Sequence, residues 1–192
     1  MRFSPLLISH LLIKPLQYFF SFYAGPDLAY DSDPEKTKIE IGAYNDLHKI
    51  PIQMKPRILV NRGNFEVGKV GLTDNLAEGK KLFQTKGLTD VTNMVMINGT
   101  ATVTIEARQE GTLELMTDMV AHFLVWSRPF ICNTQGFKNF AMPLSVSQPT
   151  LGKEDKELFQ ATIMIPWTME EHWNVKSDAL KLNDFFLELK GS

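Results

Sequence analysis

The chain has 192 residues, with 20 Lys and Arg against 22 Asp and Glu and a formal net charge of −2 at pH 7. A chain of this length buries about two-thirds of its unfolded surface on folding, so its stability requires neither a disulfide nor a metal. The near balance of charge excludes the strongly basic class of nucleic-acid-binding proteins, and the hydrophobic share of 44% argues against a disordered chain.

Residues 1–26 predict an amphipathic helical arm. Ser4 suits the N-cap, Pro5 suits the first helical position, and apolar residues recur behind them at helical spacing. The apolar run is interrupted at Pro15 and is too short to span a bilayer, which makes a secretory signal or membrane anchor the less favoured alternative. The candidate interaction residues of this arm are Leu7, Leu11, Phe19 and Phe20.

A turn and two strands are predicted between residues 27 and 60. The acidic residues of the segment 31–35 alternate like the start of a calcium loop, but Lys36 stands where that loop requires Gly, so a solvated turn is favoured. The segment Thr37–Ile41 alternates like a strand with one buried face. The apolar run Pro56–Val60 predicts a core strand.

Residues 61–94 predict a long loop, part of which forms a hairpin. The segment Gly63–Val70 has the glycine spacing of a phosphate-binding loop. However, Val70 stands where a Ser or Thr must ligate Mg²⁺, and no helix is expected to follow, so a hairpin or glycine-rich loop is favoured. The candidate interaction lysines of this loop are Lys69, Lys80, Lys81 and Lys86.

The segment Val95–Ala107 predicts a β-hairpin. The dipeptide Asn98-Gly99 separates two alternating runs, which is the strongest short-range signal for a hairpin turn. In the second run, Ala101–Ala107, apolar residues alternate with threonines and Glu106. This alternation predicts a strand with one buried face.

A central helix is predicted to open at Gly111-Thr112 and to end at Pro129. Its apolar residues recur at helical spacing, and His122 falls on the opposite side, where a surface or interface histidine is expected. Cys132 is the only cysteine, so no intrachain disulfide forms, and its apolar context favours a buried free thiol.

A second antiparallel pair is predicted from Phe140–Val146 and Leu158–Pro166. The segment Glu170–His172 lies near two tryptophans and predicts an exposed turn rather than an acid–base site, since adjacent side chains point in different directions. Ser177 is expected to cap a last helix that continues to the end of the chain.

This element order predicts the α+β class: a mostly antiparallel sheet packed against a central helix and a C-terminal helix, with an N-terminal helical arm. The arm covers residues 1–26, and a single domain covers residues 27–192. No histidines have the spacing of metal ligands and no catalytic motif occurs, so we expect no catalytic, cofactor or metal site. The excess of aromatic residues, Trp126, Trp167 and Trp173 among them, favours an oligomeric building block.

The strand Thr102–Arg108, the helix Leu113–Leu124 and two later strands, the second ending at Trp167, follow one another between Ala101 and Trp167. This order resembles the tail-terminator proteins of long-tailed phages and the related neck, or head–tail connector, proteins. The resemblance covers a third to a half of the chain and depends on element order and pattern.

The resemblance implies a non-enzymatic structural protein of the virion tail or neck, assembled in the host cytoplasm and without a membrane. It implies a ring, usually a hexamer, that caps the tail tube and contacts the tail tube protein and the neck proteins. DNA would pass through the lumen without sequence-specific binding, the arm would reach a neighbouring subunit, and the loop lysines would contact DNA phosphates or an acidic neighbouring ring. A head-closure protein or other neck or tail adaptor, a bacterial envelope-associated protein and a small enzyme of unknown type are the alternatives.

Overall fold

The structure, a computed structural model, describes residues 8–47, 55–68, 91–152 and 157–175. Its α-helices are α1 (Ile8–Phe22), a single turn α2 (Tyr44–Leu47) and α3 (Glu110–Gln135), and Pro26–Leu28 form a 3₁₀ turn. Its strands are β1 (Glu40–Ala43), β2 (Arg57–Asn61), β3 (Phe65–Gly68), β4 (Val91–Ala107), β5 (Phe137–Phe140), β6 (Ser145–Val146), β7 (Thr150–Leu151) and β8 (Phe159–Val175). The predicted α+β class is confirmed, and the predicted C-terminal helix lies outside the described residues.

In the described part of the chain, eight strands form one sheet in the order β1-β2-β4-β8-β5, with β3 beside β4 and with β6 and β7 beside β8. Strands β1 and β2 are parallel, whereas β2 and β4 are antiparallel, with Ile58 opposite Ile105 and Val60 opposite Val103. These four side chains are buried. The apolar run at β2 and the alternation in the second half of β4 therefore form the interior of the sheet, as the sequence predicted.

The chain divides into two compact units. The first comprises Met1–Phe65 and Asn98–Thr168 and contains the three helices, β1, β2 and the strands β5 to β7. The second comprises Glu66–Ile97 and Met169–Ser192, in which the structure describes terminal parts of β3, β4 and β8. The core and the surfaces considered below belong to the first unit.

Helix α1 belongs to the core of the first unit, where it packs against β1, β2 and α3. Its side-chain amide at Gln17 donates a hydrogen bond of 3.0 Å to the carbonyl oxygen of Ile41 in β1. Pro15 lies inside the helix and does not end it, and the chain turns away at Gly25, whose φ is 77°. The buried residues of α1 are Ile8, Leu12, Ile13, Leu16 and Phe20.

The hairpin predicted at Asn98-Gly99 is wrong, because both residues lie inside the continuous strand β4. Among the described glycines, positive φ occurs only at Gly25 and Gly136, so Gly99 lacks the left-handed conformation that the predicted turn requires. A Cβ at Gly99 would overlap the indole of Trp167. The absence of a side chain at Gly99 therefore lets the indole of Trp167 pack directly on the backbone of β4. Such close packing is, besides a turn or a bulge, a common reason for glycine within a strand.

The predicted end of the central helix at Pro129 is also wrong, since α3 continues to Gln135 and is capped by Gly136 in the left-handed conformation, with φ 76°. Proline has no backbone N–H, so the carbonyl of Val125, four residues before Pro129, receives no hydrogen bond within the helix. Both Pro129 and Val125 are exposed. Because water reaches this side of the helix, the carbonyl is solvated and the helix continues. Cys132 is half-exposed rather than buried.

The exposed turn predicted at Glu170–His172 is wrong, because this segment is part of β8. Trp167, which precedes it, is buried, with its ring centroid 6.0 Å from that of Phe137 and 6.4 Å from that of Phe65. The second antiparallel pair is confirmed in part: β8 forms, and Val146 in β6 lies opposite Ile163, but the predicted first strand Phe140–Val146 is reduced to Ser145–Val146, because Phe140 ends β5 and Pro143 has no N–H to donate to a strand ladder.

The predicted loop at residues 61–94 is shorter at both ends, since β2 extends to Asn61, β3 follows and β4 begins at Val91. Residues 69–90 lie outside the described residues.

The turn predicted for the acidic segment 31–35 is confirmed: the Asp33 amide donates to Asp31 Oδ1 at 2.8 Å, and the Glu35 amide donates to Asp33 Oδ1 at 3.0 Å. Both carboxylates therefore stabilise a local turn.

Candidate assembly surface

Helix α1 exposes a row of apolar residues beside its buried face. Tyr18 and Phe22 are exposed, and their ring centroids lie 4.7 Å apart. Leu11, which is half-buried, precedes them by two and three turns on the same side of the helix, at the i, i+7, i+11 spacing. Tyr23, just after the helix, is exposed as well. The end of α1 thus presents three large aromatic side chains to water.

Phe19 links this aromatic row to helix α3. Its ring centroid lies 5.1 Å from that of Phe123 in α3, 5.7 Å from that of Tyr23 and 5.4 Å from that of the buried Phe20. Such spacings are typical of favourable aromatic pairs. The exposed rings of α1 therefore continue onto α3 through a packed aromatic contact within the first unit.

Helix α3 continues the same surface with a second exposed row. Leu115 is 54% exposed, Trp126 is 74% exposed and Phe130 is exposed too. They follow the spacing i, i+11, i+15, which places them along one side of the helix, and the buried Phe123 borders this side. We call the exposed apolar residues at the end of α1 and on this side of α3 surface I. It consists of Tyr18, Phe22, Tyr23, Leu115, Trp126 and Phe130.

The apolar area of surface I is large for a chain of this size. A fully exposed aromatic side chain offers about 150–250 Å², so six side chains that are each more than half exposed leave roughly 700 Å² in contact with water. One partner in a stable protein–protein interface buries about 800 Å². Apolar patches on monomers seldom exceed a few hundred Å². Summed over its six side chains, surface I therefore exposes nearly as much apolar area as one half of a protein–protein interface buries.

A polar pair borders surface I on α3. His122 is exposed, as the sequence predicted, and its Nδ1 lies 3.1 Å from Asp118 Oδ1 and 3.0 Å from the carbonyl oxygen of Asp118. Both residues lie on the water-facing side of the helix, close to Leu115 at the i, i+3 and i, i+7 spacing. An apolar centre with a polar rim is the usual anatomy of a protein–protein interface.

The residues that the sequence singled out lie in three places. Leu11 and Phe19 are half-buried and adjoin surface I. Phe20 is 0% exposed, so its side chain belongs to the core of the chain itself and has no surface left for a partner chain. Outside the described residues lie Leu7, Lys69, Lys80, Lys81 and Lys86.

Sequence reasoning noted Trp126 as one aromatic residue in excess but missed its neighbours Leu115 and Phe130. A signal for them exists in the sequence. The buried positions of α3 form one stripe, and these three residues form a second apolar stripe beside it, about a quarter of a turn away. A helix with one partner needs a single apolar stripe, so the second stripe indicates a second contact.

A polar cleft of about 390 Å³ belongs to the first unit. It lies where the parallel strands β1 and β2 end and includes Tyr44, Asn61 and Arg62. The Arg62 guanidinium carbon lies 5.5 Å from the ring centroid of Phe65. Among the described residues that line the cleft, none is a carboxylate, histidine or cysteine, so the cleft offers no general base of the usual kinds.

Within the described ranges no three His, Cys, Asp or Glu side chains are grouped so as to hold a metal ion. None of the described helices combines the length and the hydropathy that a membrane-spanning helix needs.

No protein-family model matches the chain, and a comparison with curated proteins gives no match either.

Proposed function

We propose that the chain is a structural subunit of a phage virion and that copies of it assemble into a ring, the tail terminator. The observation that carries the proposal is surface I, six large apolar side chains that the subunit leaves in water. At about 25 cal/mol per Å² of apolar area, burying this surface against another chain contributes a large favourable free energy. Association with further chains is therefore the role that surface I supports best.

The resemblance of the segment Ala101–Trp167 to tail-terminator and neck proteins gives the association its specific form. This segment contains the second half of β4, all of α3 and the first half of β8. Helix α3 supplies three of the six residues of surface I, namely Leu115, Trp126 and Phe130. Helix α3 thus belongs to the segment that carries the resemblance and also carries half of surface I.

In this proposal the ring, a hexamer as in the family, caps the tail tube and joins it to the neck. Its partners are further copies of the chain, the tail tube protein and the neck proteins, and DNA passes through the lumen without sequence-specific contacts. The protein acts through binding surfaces and not through catalysis. It is assembled in the host cytoplasm and resides in the virion, at the junction of tail and head.

The first experiment measures the mass of the purified chain by light scattering and images the same sample by negative stain. We expect a hexamer that appears as a ring with a central channel. The ring is then added to tail tube protein during polymerisation, where we expect the ring to stop tube growth at one end. Because a terminator acts on the end of a tube, a substoichiometric amount suffices.

Two results would count against the proposal. A chain that stays monomeric at high concentration, alone and with tail tubes, contradicts the ring. A ring that forms but neither binds tubes nor stops their growth contradicts the terminator role and favours a head-closure or other neck adaptor. The alternatives of an envelope-associated protein and of an enzyme predict neither a ring nor tube binding.

A further inference from the structure

The polar cleft of the first unit lies at the carboxyl ends of its two parallel strands. Strands β1 and β2 are parallel, with Ala43 opposite Val60 where both strands end. In open sheets with parallel strands, ligands commonly bind in the crevice outside the carboxyl ends of the strands. The residues that follow β1 and β2 line the cleft from its two sides, namely Tyr44 and Asn45 on one side and Arg62, Gly63 and Asn64 on the other.

The loop that follows β2 is anchored on the sheet. The backbone amide of Thr100 in β4 donates a hydrogen bond of 3.0 Å to the carbonyl oxygen of Asn64. Gly63 lies against the same threonine, because a Cβ at Gly63 would come within 2.8 Å of the Thr100 carbonyl oxygen. The loop is therefore held in one position before any ligand arrives, which lowers the entropic cost of binding.

Arg62 is the only charged residue among the described residues that line the cleft. It is half-buried, and its guanidinium carbon lies 5.5 Å from the ring centroid of Phe65. In the described parts of the chain, no Asp or Glu forms an ion pair with it. A guanidinium has five N–H donors in a planar fork that matches a carboxylate. Arg62 thus offers these donors to a ligand in the cleft.

The other side chains of the cleft form hydrogen bonds but carry no charge. Three of them are the amides of Asn45, Asn61 and Asn64, and a hydroxyl is contributed by Ser9 at the start of the described part of α1. One positive charge among neutral polar groups favours a ligand with one negative charge. A single guanidinium pairs with one carboxylate through two parallel hydrogen bonds, whereas phosphate groups are typically bound by clusters of arginines.

We infer that this cleft is a binding site for a carboxylate, which pairs with the Arg62 guanidinium while the asparagine amides bind the polar groups beside it. This inference is independent of the proposed ring. The volume of about 390 Å³ is at the lower end of the range of small-molecule pockets, about 300–1,000 Å³. A free acid and an acidic side chain of another protein offer the same carboxylate, and the experiment separates these two sources.

The experiment is isothermal titration calorimetry of the full chain at low salt with matched probes. Succinamate carries one carboxylate and one amide, and succinamide is its neutral counterpart. A short peptide with blocked ends and a single glutamate represents the acidic side chain, and the same peptide with glutamine is its neutral counterpart. Inorganic phosphate is the fifth probe.

We expect succinamate or the glutamate peptide to bind in the millimolar range, and the tighter of the two identifies the source of the carboxylate. We expect each neutral counterpart to bind at least about 10-fold more weakly, since a hydrogen bond to a charged group contributes about 1.5–3 kcal/mol. Arg62→Gln is expected to cause the same loss, and Arg62→Lys a smaller one, because an ammonium lacks the planar fork.

The matched control is Arg108→Gln, because Arg108 is an exposed arginine that does not line the cleft. We expect this variant to bind as the native chain does. Asn45→Ala, a change at an exposed residue on the opposite side of the cleft, is expected to weaken binding several-fold and serves as the test if Arg62→Gln does not fold.

Three results would overturn the inference. The first is that the folded native chain binds neither carboxylate probe. The second is that Arg62→Gln, or Asn45→Ala in its place, binds them as tightly as the native chain. The third is that phosphate binds more tightly than both carboxylate probes. The mass of the same samples reports the ring separately, so a monomer that binds succinamate contradicts the ring and supports this site.

Discussion

Trp167 and Trp126 show how differently two regions of this molecule use the same residue type. Trp167 is 1% exposed and lies in the sheet interior, where it packs over Gly99 on the neighbouring strand and between the rings of Phe65 and Phe137. Trp126 is 74% exposed on α3. This difference in exposure distinguishes apolar residues that stabilise the fold of one chain from apolar residues that are available for contact with another chain.

The comparison implies that substitutions in the two regions act on different equilibria. In the sheet interior a substitution changes the free energy of unfolding of the single chain. On surface I we expect it to change the proposed association of chains and to leave the fold nearly unaffected, since exposed substitutions usually alter stability by less than about 0.5 kcal/mol. Each prediction below tests this separation.

The largest effect on stability is expected at the buried ion pair on the sheet. Arg57 Nε donates to Glu106 Oε2 at 2.8 Å, both side chains are buried, and Gln160 donates to Glu106 Oε1 at 3.2 Å. Glu106→Ala leaves a buried guanidinium without its carboxylate, which costs about 3–5 kcal/mol. Urea unfolding monitored by circular dichroism measures the loss.

A matched control for Glu106→Ala is Glu157→Ala, which removes the exposed carboxylate that lies 3.1 Å from Arg108. Exposed pairs contribute little, so the control is expected to lower stability far less. Equal losses in the two variants would show that the sheet interior depends on burial of side chains alone and not on the paired charges.

The next effect is expected at Gly99, where the sequence predicted a turn. Gly99→Ala forces a Cβ into the indole of Trp167 and to 2.8 Å from the Phe65 Cβ, so overpacking costs about 1–3 kcal/mol. In the double variant Gly99→Ala with Trp167→Leu the two losses are expected to be less than additive, because the smaller side chain makes room. Full additivity in urea unfolding would mean that the two positions do not compete for space.

A smaller effect is expected where α3 ends. Gly136 has φ 76°, so Gly136→Ala places a side chain in the left-handed conformation, which costs about 1–2 kcal/mol. Gly111→Ala is the matched control, because Gly111 lies in the first turn of the same helix, has no neighbour within 4 Å of an added Cβ and does not have positive φ. We expect the control to be neutral or slightly stabilising, and a reversed order of the two melting temperatures would contradict the assigned cap.

The smallest effect on unfolding is expected on surface I itself. Leu115→Asp and Val125→Asp alter two side chains of nearly equal exposure on one helix, so each is expected to change the unfolding free energy of the dilute chain by less than about 0.5 kcal/mol. Thermal unfolding at low concentration measures this change. A loss of several kcal/mol in Leu115→Asp alone would place that residue in the core of the subunit.

Much of the fold could be predicted from the sequence, because the spacing of apolar residues along the chain follows directly from which face of a helix or strand is buried. The apolar run of β2, the alternation in β4 and β8 and the helical spacing in α1 and α3 each predicted an element that the structure contains. The errors arose at residues whose meaning depends on distant neighbours. Asn98-Gly99 is a turn signal in isolation, but Trp167, nearly 70 residues later in the chain, fixes its meaning.

The candidate site was harder to predict than the fold. Phe19 and Phe20 are adjacent aromatic residues with the same local signal, yet Phe20 is buried among the residues of its own subunit and Phe19 reaches α3 at the margin of surface I. Which side of α1 meets α3 is decided by tertiary packing. The same packing decides that Trp126 remains in water and that Trp167 does not.

The most direct test of the central claim is the mass distribution of the full chain and of two variants across a dilution series, measured by light scattering. Trp126→Asp removes the most exposed residue of surface I, and Val125→Asp changes the adjacent residue, about 100° away around the helix. We expect the native chain and Val125→Asp to form the same ring. We expect Trp126→Asp to dissociate at concentrations at least about 30-fold higher, which corresponds to a loss of about 2 kcal/mol at an interface hot spot. Equal assembly of all three chains would contradict the claim that surface I joins the subunits.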